Sequence, residues 1–504
     1  MDMANMSWLT DVVKWLAYFF VFLVGTGVLW AVVLYIIDVN QTTHAIRRNY
    51  PVVGRFRYVF EHLGEFFRQY FFALDREEMP FNRAERSWAY RAAKGVDTTV
   101  AFGSTRDLRP TGTVIFVNCP YPTLDQDIVP VSTLTIGTDC EHPYSTNKIF
   151  HISGMSFGAL SKPAVLALSR GAKMAGCWMN TGEGGLSPYH LEGGADIVFQ
   201  IGTAKYGVRD ENGALSDDKL RELAAHEQVR MFEIKMSQGA KPGKGGILPG
   251  TKVTAEIAQI RGIPEGHDSI SPNGHPEIKN GSDLLDMIDR VRRVTGKPVG
   301  FKAVIGAYGW LHELFDEVAR RGVSSAPDFI TVDSGDGGTG AAPQPLIDNV
   351  GLPLRESLPL LVDLLNHYDL RDRVKVIASG KAITPDLTAA CLCAGADFVV
   401  SARGFMFALG CIQALQCNKN TCPTGITTHN KKLQRGLVPA DKAERVRRYQ
   451  QTMEKEVGII AHSCGVKEAR QLGRKHCRIV QNNGLSKPMD EVFPNIRPRP
   501  REVA

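Results

Sequence analysis

The sequence predicts an α/β protein: a TIM-type (β/α)8 barrel behind an N-terminal transmembrane helix, with helical extensions on both sides of the barrel. Three observations predict it. From about residue 145 to 440, short apolar and β-branched runs alternate with helical stretches, the pattern of parallel β/α construction. Eight such runs occur, the number that closes a barrel. Trp15 to Ile37 carries no charge and has about the 20 residues a helix needs to cross a bilayer core.

In chain order, a leader (1–14) precedes the span (15–37). Trp15, Tyr18, Trp30 and Tyr35 lie toward the ends of the span, where amphipathic rings favour the headgroup level. A cleaved signal peptide is the rival reading, but the leader is not basic and no small-x-small cleavage site follows. Arg47, Arg48, Arg55 and Arg57 follow the span, whereas only Lys14 precedes it. The positive-inside rule therefore expects a single-pass membrane protein whose catalytic bulk is cytoplasmic. A membrane-proximal region of helix and linker (38–144) comes next. In it Phe56, Phe60, Leu63, Phe67 and Tyr70 recur at helical spacing, so an amphipathic helix is expected, lying on the bilayer or packed on the main domain. A second helix is expected over 82–94.

The barrel region (145–440) supplies the strands Ile149–Ser153, Trp178–Asn180, Ile197–Ile201, Met231–Lys235, Val299–Val304, Phe329–Asp333, Val374–Ser379 and Phe398–Ser401. Nearly every run ends in a polar or glycine-rich loop: 153–156, 181–185, 334–340, 379–381 and 401–404. Barrel active sites are built from the loops after the strands, so these loops mark the expected site. No G-x-G-x-x-G follows the first strand, which argues against a nicotinamide-binding open sheet. Loops seven and eight carry Ser379-Gly380-Lys381 and Ser401-Ala402-Arg403-Gly404, at the usual place for a barrel phosphate site. The loop after strand four, Lys235 to Gly250, sets lysines among glycines and suits an anion or an electron-poor flavin. Lys235 itself ends a buried strand, where an ammonium needs a partner. The long connection that follows, with Arg261, Asp268, His275 and Glu277, reads as a lid or binding loop.

Directly after the eighth strand, Cys411, Cys417 and Cys422 fall at C-x5-C-x4-C spacing with Pro423 behind the last. Three buried thiols are the bland alternative. The spacing favours three thiolate ligands to an iron–sulfur cluster, whose partner would be a flavin over the barrel mouth. The other seven cysteines are scattered, which suits a reducing compartment.

These loops together resemble the FMN-binding synthase domain of glutamate synthases. The resemblance runs from about Ile149 to Arg435 and rests on G-M-S-F-G at Gly154–Gly158, N-T-G-E-G-G at Asn180–Gly185, I-K-M-S-Q-G-A-K-P-G at Ile234–Gly243, G-D-G-G-T-G-A at Gly335–Ala341, and the cysteine stretch. It implies a β/α barrel carrying FMN and a 3Fe-4S cluster, the latter on Cys411, Cys417 and Cys422. Electrons would enter through the cluster and reach the imine of 2-oxoglutarate and ammonia by way of FMN, giving glutamate. It further implies cofactor contacts at Gly154, Met155, Ser156, Gln200, Lys235, Lys302, Ser334, Gly335, Gly337, Gly338, Gly380 and Arg403. Lys235 and Glu183 would be catalytic, and Gln238, Lys241 and Arg261 would hold the substrate carboxylates.

Two departures stand at the same mouth. The family's E-G-G-Q appears as Lys244-Gly245-Gly246-Ile247, and its S-P-P-P-H-H-D as Ser271-Pro272-Asn273-Gly274-His275-Pro276-Glu277. Ile247 thus replaces a glutamine that would help hold the oxo acid. Neither an amidotransferase nor a nicotinamide-binding domain is expected, so ammonia would come from solution and electrons from a donor protein or a membrane carrier. An amino-acid dehydrogenase delivering electrons to quinone is the second expectation, and a non-catalytic redox scaffold the third. The net charge of +6 over 504 residues is too small to argue for nucleic acid. The C-terminal extension (441–504) reads as a helix followed by a basic, proline-rich surface tail.

Overall fold

A computed structural model describes residues 7–67, 71, 73–237 and 239–494. The chain divides into two compact units, Met1–Ala84 and Glu85–Ala504.

The first unit begins with helix α1 (Ser7–Asn40). Its stretch from Trp8 to Asn40 contains an 18-residue window with a mean hydropathy of 2.5 and is long and apolar enough to cross a membrane. Thr26 returns its hydroxyl to the Phe22 carbonyl at 2.7 Å, the internal satisfaction that a polar side chain in an apolar helix needs. A short helix, α2 (Ala45–Asn49), and a longer one, α3 (Gly54–Phe67), follow. Tyr70 lies outside the described residues, so the expected helical stripe can be followed as far as Phe67.

In the second unit, eight parallel strands close a barrel. In chain order they are Phe150–Ile152, Met179–Asn180, Ile197–Ile201, Val229–Lys235, Val299–Val304, Phe329–Asp333, Lys375–Ser379 and Phe398–Ser401. They coincide with the eight expected runs to within two residues at either end. Side chains alternate in and out along each strand, and the lower interior is filled by Trp178, Val198, Met231, Phe329, Ile377, Phe398 and Val400. Burying each of these contributes roughly 1.5–3 kcal/mol.

The helices around the barrel start and stop where their sequences dictate. Lys162–Ala175 is capped by the Ser161 hydroxyl, which accepts from the Ala164 amide, and ends at left-handed Gly176. Gly281–Thr295 begins at Asn280 and stops at Gly296 in the same way. Both follow the side-chain cap and glycine-stop pattern. The connection before strand five is a small lid: Ile247–Leu248 pairs antiparallel with Ser269–Ile270 around the helix Ala255–Arg261.

The C-terminal tail departs from expectation. The helix Pro439–Ser463 is present, but the chain beyond it does not simply run over the surface. Cys477–Val480 pairs with Ser486–Pro488 and with Val114–Phe116 in a three-stranded antiparallel sheet. The membrane-proximal region likewise contains strands, at 114–116 and at 134–136, the latter paired with 144–146.

Candidate active site at the barrel mouth

A cleft opens at the C-terminal ends of the strands. It is lined by Gly154, Met155 and Ser156 from loop one, Glu183 from loop two, Lys235 and Lys241 from strand four and its loop, Lys302 and Asp333 from strands five and six, and Arg403 after strand eight. The lid contributes Ile247, Leu248, Pro249, Lys252 and Arg261, and the cysteine loop contributes Cys417. Six cations (Lys235, Lys241, Lys252, Arg261, Lys302, Arg403) thus face only two carboxylates, Glu183 and Asp333. The excess marks an anion site.

Two of the lysines are paired. Lys235 Nζ lies 3.2 Å from Glu183 Oε2. Burial pushes the Glu183 carboxyl up, but Lys235, Lys241 and Arg261 outweigh it and hold it below the usual carboxylate range. Glu183 reaches this position because loop two turns at Gly182, whose φ is +64° and whose absent Cβ would stand 2.6 Å from the Ser156 amide nitrogen. Only glycine fits there. Lys302 Nζ lies 3.2 Å from Asp333 Oδ2. Burial lowers the pKa of this ammonium, but Asp333 and Glu233 override it and raise the pKa above the ordinary lysine value. Asp333 is fixed in turn by the Ser379 hydroxyl at 3.0 Å and the Gly239 amide at 2.8 Å.

Beneath them sits a buried carboxylate that sequence reasoning missed. Glu233 accepts from Asn180 Nδ2 at 2.8 Å, Gln200 Nε2 at 2.6 Å and the Thr331 hydroxyl at 2.6 Å. Glu233 and Thr331 stand two residues before Lys235 and Asp333 on their strands, so the period-two pattern places them on the same inward face. That spacing was the available signal, and Gln200 is bound into this layer.

Lys241 is 3% exposed. Burial lowers its pKa, with Glu183 opposing. Arg261 donates to the Ser269 hydroxyl at 3.0 Å and the Phe157 carbonyl at 3.2 Å, while its Nε is buried without a hydrogen-bond partner. A buried guanidinium NH left unmatched leaves unused capacity for an acceptor. Arg403 donates to the Thr339 carbonyl and faces Gly338, whose absent Cβ would come 2.8 Å from Arg403 Nε. Gln238 lies outside the described residues.

Not all the expected cofactor residues line the cleft. Ser334 and Gly380 border a different cavity, shared with Asp336, Lys381 and the C-terminal sheet. Gly335 and Gly337 shape loop six instead: Gly335 donates to the Leu352 carbonyl and Gly337 to that of Ser334. Lys252, which sequence reasoning also missed, donates to the carbonyls of Ala159 at 2.8 Å and Cys417 at 3.2 Å, tying the lid to the cysteine loop.

The cysteine loop leaves strand eight through the helix Arg403–Leu409. Gln413, Leu415 and Asn420 all adopt left-handed backbone conformations, with φ of 57°, 54° and 59°, strain of a kind that gathers at functional loops. Burial pushes the Cys411 thiol up to about 11. Burial also works against the Cys422 thiolate, but hydrogen bonds from Thr424 and Thr427 prevail and lower its pKa. Of the three cysteines only Cys417 lines the cleft. Among the described residues no three His, Cys, Asp or Glu side chains come close enough to hold a metal ion.

Comparison with known proteins places this cleft in a family. Residues 121–467 match a family model described as a conserved region in glutamate synthase. The chain is similar to the glutamate synthase large subunit-like protein YerD of Bacillus subtilis, 39% identical over 91% of this chain and 94% of that protein. It is similar to the archaeal glutamate synthase [NADPH] of Methanocaldococcus jannaschii, 35% identical over 68% of this chain and 64% of that one. Among solved structures, a mutant flavocytochrome b2 with benzoylformate aligns over 89% of this chain and 92% of its own, at 14% identity and a TM-score of 0.48. By the extent of the family match and the level of identity, the chain belongs to the glutamate synthase family.

Proposed function

We propose that the chain is an oxidoreductase of glutamate synthase type that uses FMN and a 3Fe-4S cluster to convert an oxo acid and ammonia into an amino acid, with 2-oxoglutarate giving glutamate. The net step is oxo acid plus ammonia plus two protons and two electrons giving amino acid plus water, with the electrons supplied by a separate donor. The observation that carries this reading is the cationic cleft at the barrel mouth. Its excess of about four positive charges suits a phosphate, with a charge near −2, together with a dicarboxylic acid.

FMN, when bound, supplies hydride chemistry. The backbone at Gly154, Met155, Ser156 and Gly338, and the side chains of Gln200, Lys302 and Arg403, are the cleft-lining groups that would hold it. Ser334, Gly335, Gly337 and Gly380 would serve by shaping loops six and seven. The cluster supplies one-electron relay, and Cys411, Cys417 and Cys422 would hold it; three sulfur donors on one loop have the chemistry for that group, and the Lys252 ammonium lies against the Cys417 backbone. Lys241 and the free Nε of Arg261 would orient the substrate carboxylates, and Gln238 is added to them on the family resemblance alone. Glu183 holds the Lys235 ammonium in place, so that Lys235 can hydrogen-bond an anionic or electron-rich atom in the cleft. The lid excludes water once ligand is in place.

Anaerobic incubation of the purified protein with dithionite-reduced donor, 2-oxoglutarate and ammonium tests this. Glutamate formation is expected, and its absence with flavin and iron both present would reject synthase activity. A protein holding neither flavin nor iron would instead be a scaffold. Two observations favour a second reading, an amino-acid dehydrogenase passing electrons to quinone. Ile247, Leu248 and Pro249 give the lid an apolar lip, and α1 is long and apolar enough to span a membrane. Amino-acid-dependent reduction of a soluble quinone, without glutamate synthesis, would select it. In either case we place the protein at the membrane as a single-pass chain with the barrel in the cytoplasm, on the distribution of arginines after α1.

A further inference from the structure

The first unit carries an apolar face that the chemistry of the barrel does not use. The apolar stretch of α1 ends at Ile37, and Asp38 follows. The buried Asp38 carboxylate accepts from Arg55 Nε at 2.8 Å, Arg55 Nη2 at 2.7 Å and the Val52 amide at 3.0 Å. This bidentate pair ties the first turn of α3 to the last turn of α1, the level at which a spanning helix leaves the hydrocarbon.

The rotation of α3 is also set. Tyr58 meets the edge of His44 at 5.2 Å, and the Arg47 guanidinium sits 4.6 Å above the Tyr58 ring. Gly54 allows the close approach, since a Cβ there would stand 2.8 Å from the Ile46 carbonyl oxygen. With the Tyr58 side turned to α2, the other side presents Phe56, Val59, Phe60, Leu63 and Phe67, all exposed. Their spacing is that of one helical face. A contiguous apolar stripe of this kind marks a binding surface.

We propose that α3 lies in the headgroup layer of the bilayer that α1 spans, with this phenylalanine-rich face at the acyl boundary; the proposal rests on the reading of α1 as a span. The occupant is lipid because the face begins at the level where the span ends. Arg47, Arg48 and Arg57 around the turn complement anionic headgroups, whereas the charge of Arg55 is matched by Asp38. Glu61 and Glu65 make the helix mixed in charge, so the apolar face contributes most of the binding.

The test uses the full chain reconstituted in vesicles of phosphatidylcholine and phosphatidylglycerol. Phe60→Cys and Glu61→Cys are labelled with a membrane-impermeant maleimide, and each site is read by peptide mass spectrometry. Labelling at 60 is expected to be at least about tenfold slower than at 61, with a bimane at 60 quenched by a headgroup-spin-labelled lipid. Equal labelling rates in a chain that still floats with the vesicles in alkaline carbonate overturn the placement of α3 alone. Slow labelling without quenching also overturns it, because protein rather than lipid then covers the face. A chain that fails to float overturns the span itself.

Discussion

Lys241 is a buried cation beside a carboxylate already engaged by Lys235, so its charge is available to a ligand. Hydrogen bonds to charged groups are worth about 1.5–3 kcal/mol, and Lys241→Ala should therefore raise KM for the oxo acid by roughly 10–150-fold with a smaller change in kcat. Steady-state kinetics over a range of 2-oxoglutarate concentrations checks this, and an unchanged KM would remove Lys241 from the substrate site. Three other buried residues predict how stability depends on pH. Burial depresses His190 and His275 to about 4 and His151 well below the ordinary value of 6.5. These histidines stay neutral in the fold while the unfolded chain protonates them. Their contribution is thus fully present above about pH 6.5 and is lost as pH falls toward 4, at up to about 1.4 kcal/mol per pH unit for each histidine. Carboxylates held low by arginines, Glu317 and Glu444 at about 2, lose their contribution only below their ordinary 4.5, so the interval above that belongs to the histidines. Urea midpoints should fall between pH 7 and pH 5, and His190→Gln should flatten the slope by about one proton. A flat profile would mean that these rings are charged in the fold.

At the scale of elements, the helix Arg403–Leu409 carries the chain from strand eight to the cysteine loop, and one contact sets its position. A Cβ on Gly404 would stand 2.1 Å from the Tyr449 hydroxyl, which is buried on the helix Pro439–Ser463 and donates to the Ile383 carbonyl at 2.9 Å. Overpacking of this kind costs about 1–3 kcal/mol, so Gly404→Ala should lower the thermal midpoint, whereas Gly436→Ala, whose nearest neighbour is 4.0 Å away, should not. Equal midpoints would show that the two helices separate freely. How far each element was legible follows the same physics. The barrel strands were readable because buried parallel strands leave continuous apolar runs bounded by glycine-rich loops. The sheet formed by 114–116, 477–480 and 486–488 was not, because Arg478 and Lys487 break its pattern and its outer partner is distant in sequence. In the cleft, glycines and lysines announced loops one, two and four, but the pairing of Lys302 with Asp333 depends on the closure of neighbouring strands. Loop seven was expected at the cleft: Ser379 holds Asp333 there, while Gly380 borders a second cavity, and no local pattern distinguishes the two sides of a glycine turn.

For the whole molecule, the division into two compact units separates what the barrel does from where it does it. The second unit contains the closed barrel, the lid, the cysteine loop and the cationic cleft, and its interior packs within Glu85–Ala504. The first unit contributes α1, long and apolar enough to cross a membrane, and the exposed apolar face of α3. If the proposed electron donor is at the membrane, removing the first unit should leave the chemical step intact and reduce only the supply of electrons. Deletion of residues 1–84 is therefore expected to give a water-soluble protein with unchanged flavin and iron content and unchanged turnover with dithionite. With membranes as the source of reductant, the truncated form should lose at least about tenfold in rate, since tethering sets the effective concentration of the two partners. Equal rates for the full chain and the truncated form would point to a soluble donor and confine the role of the anchor to location. Loss of flavin on truncation would instead mean that the first unit helps to build the site.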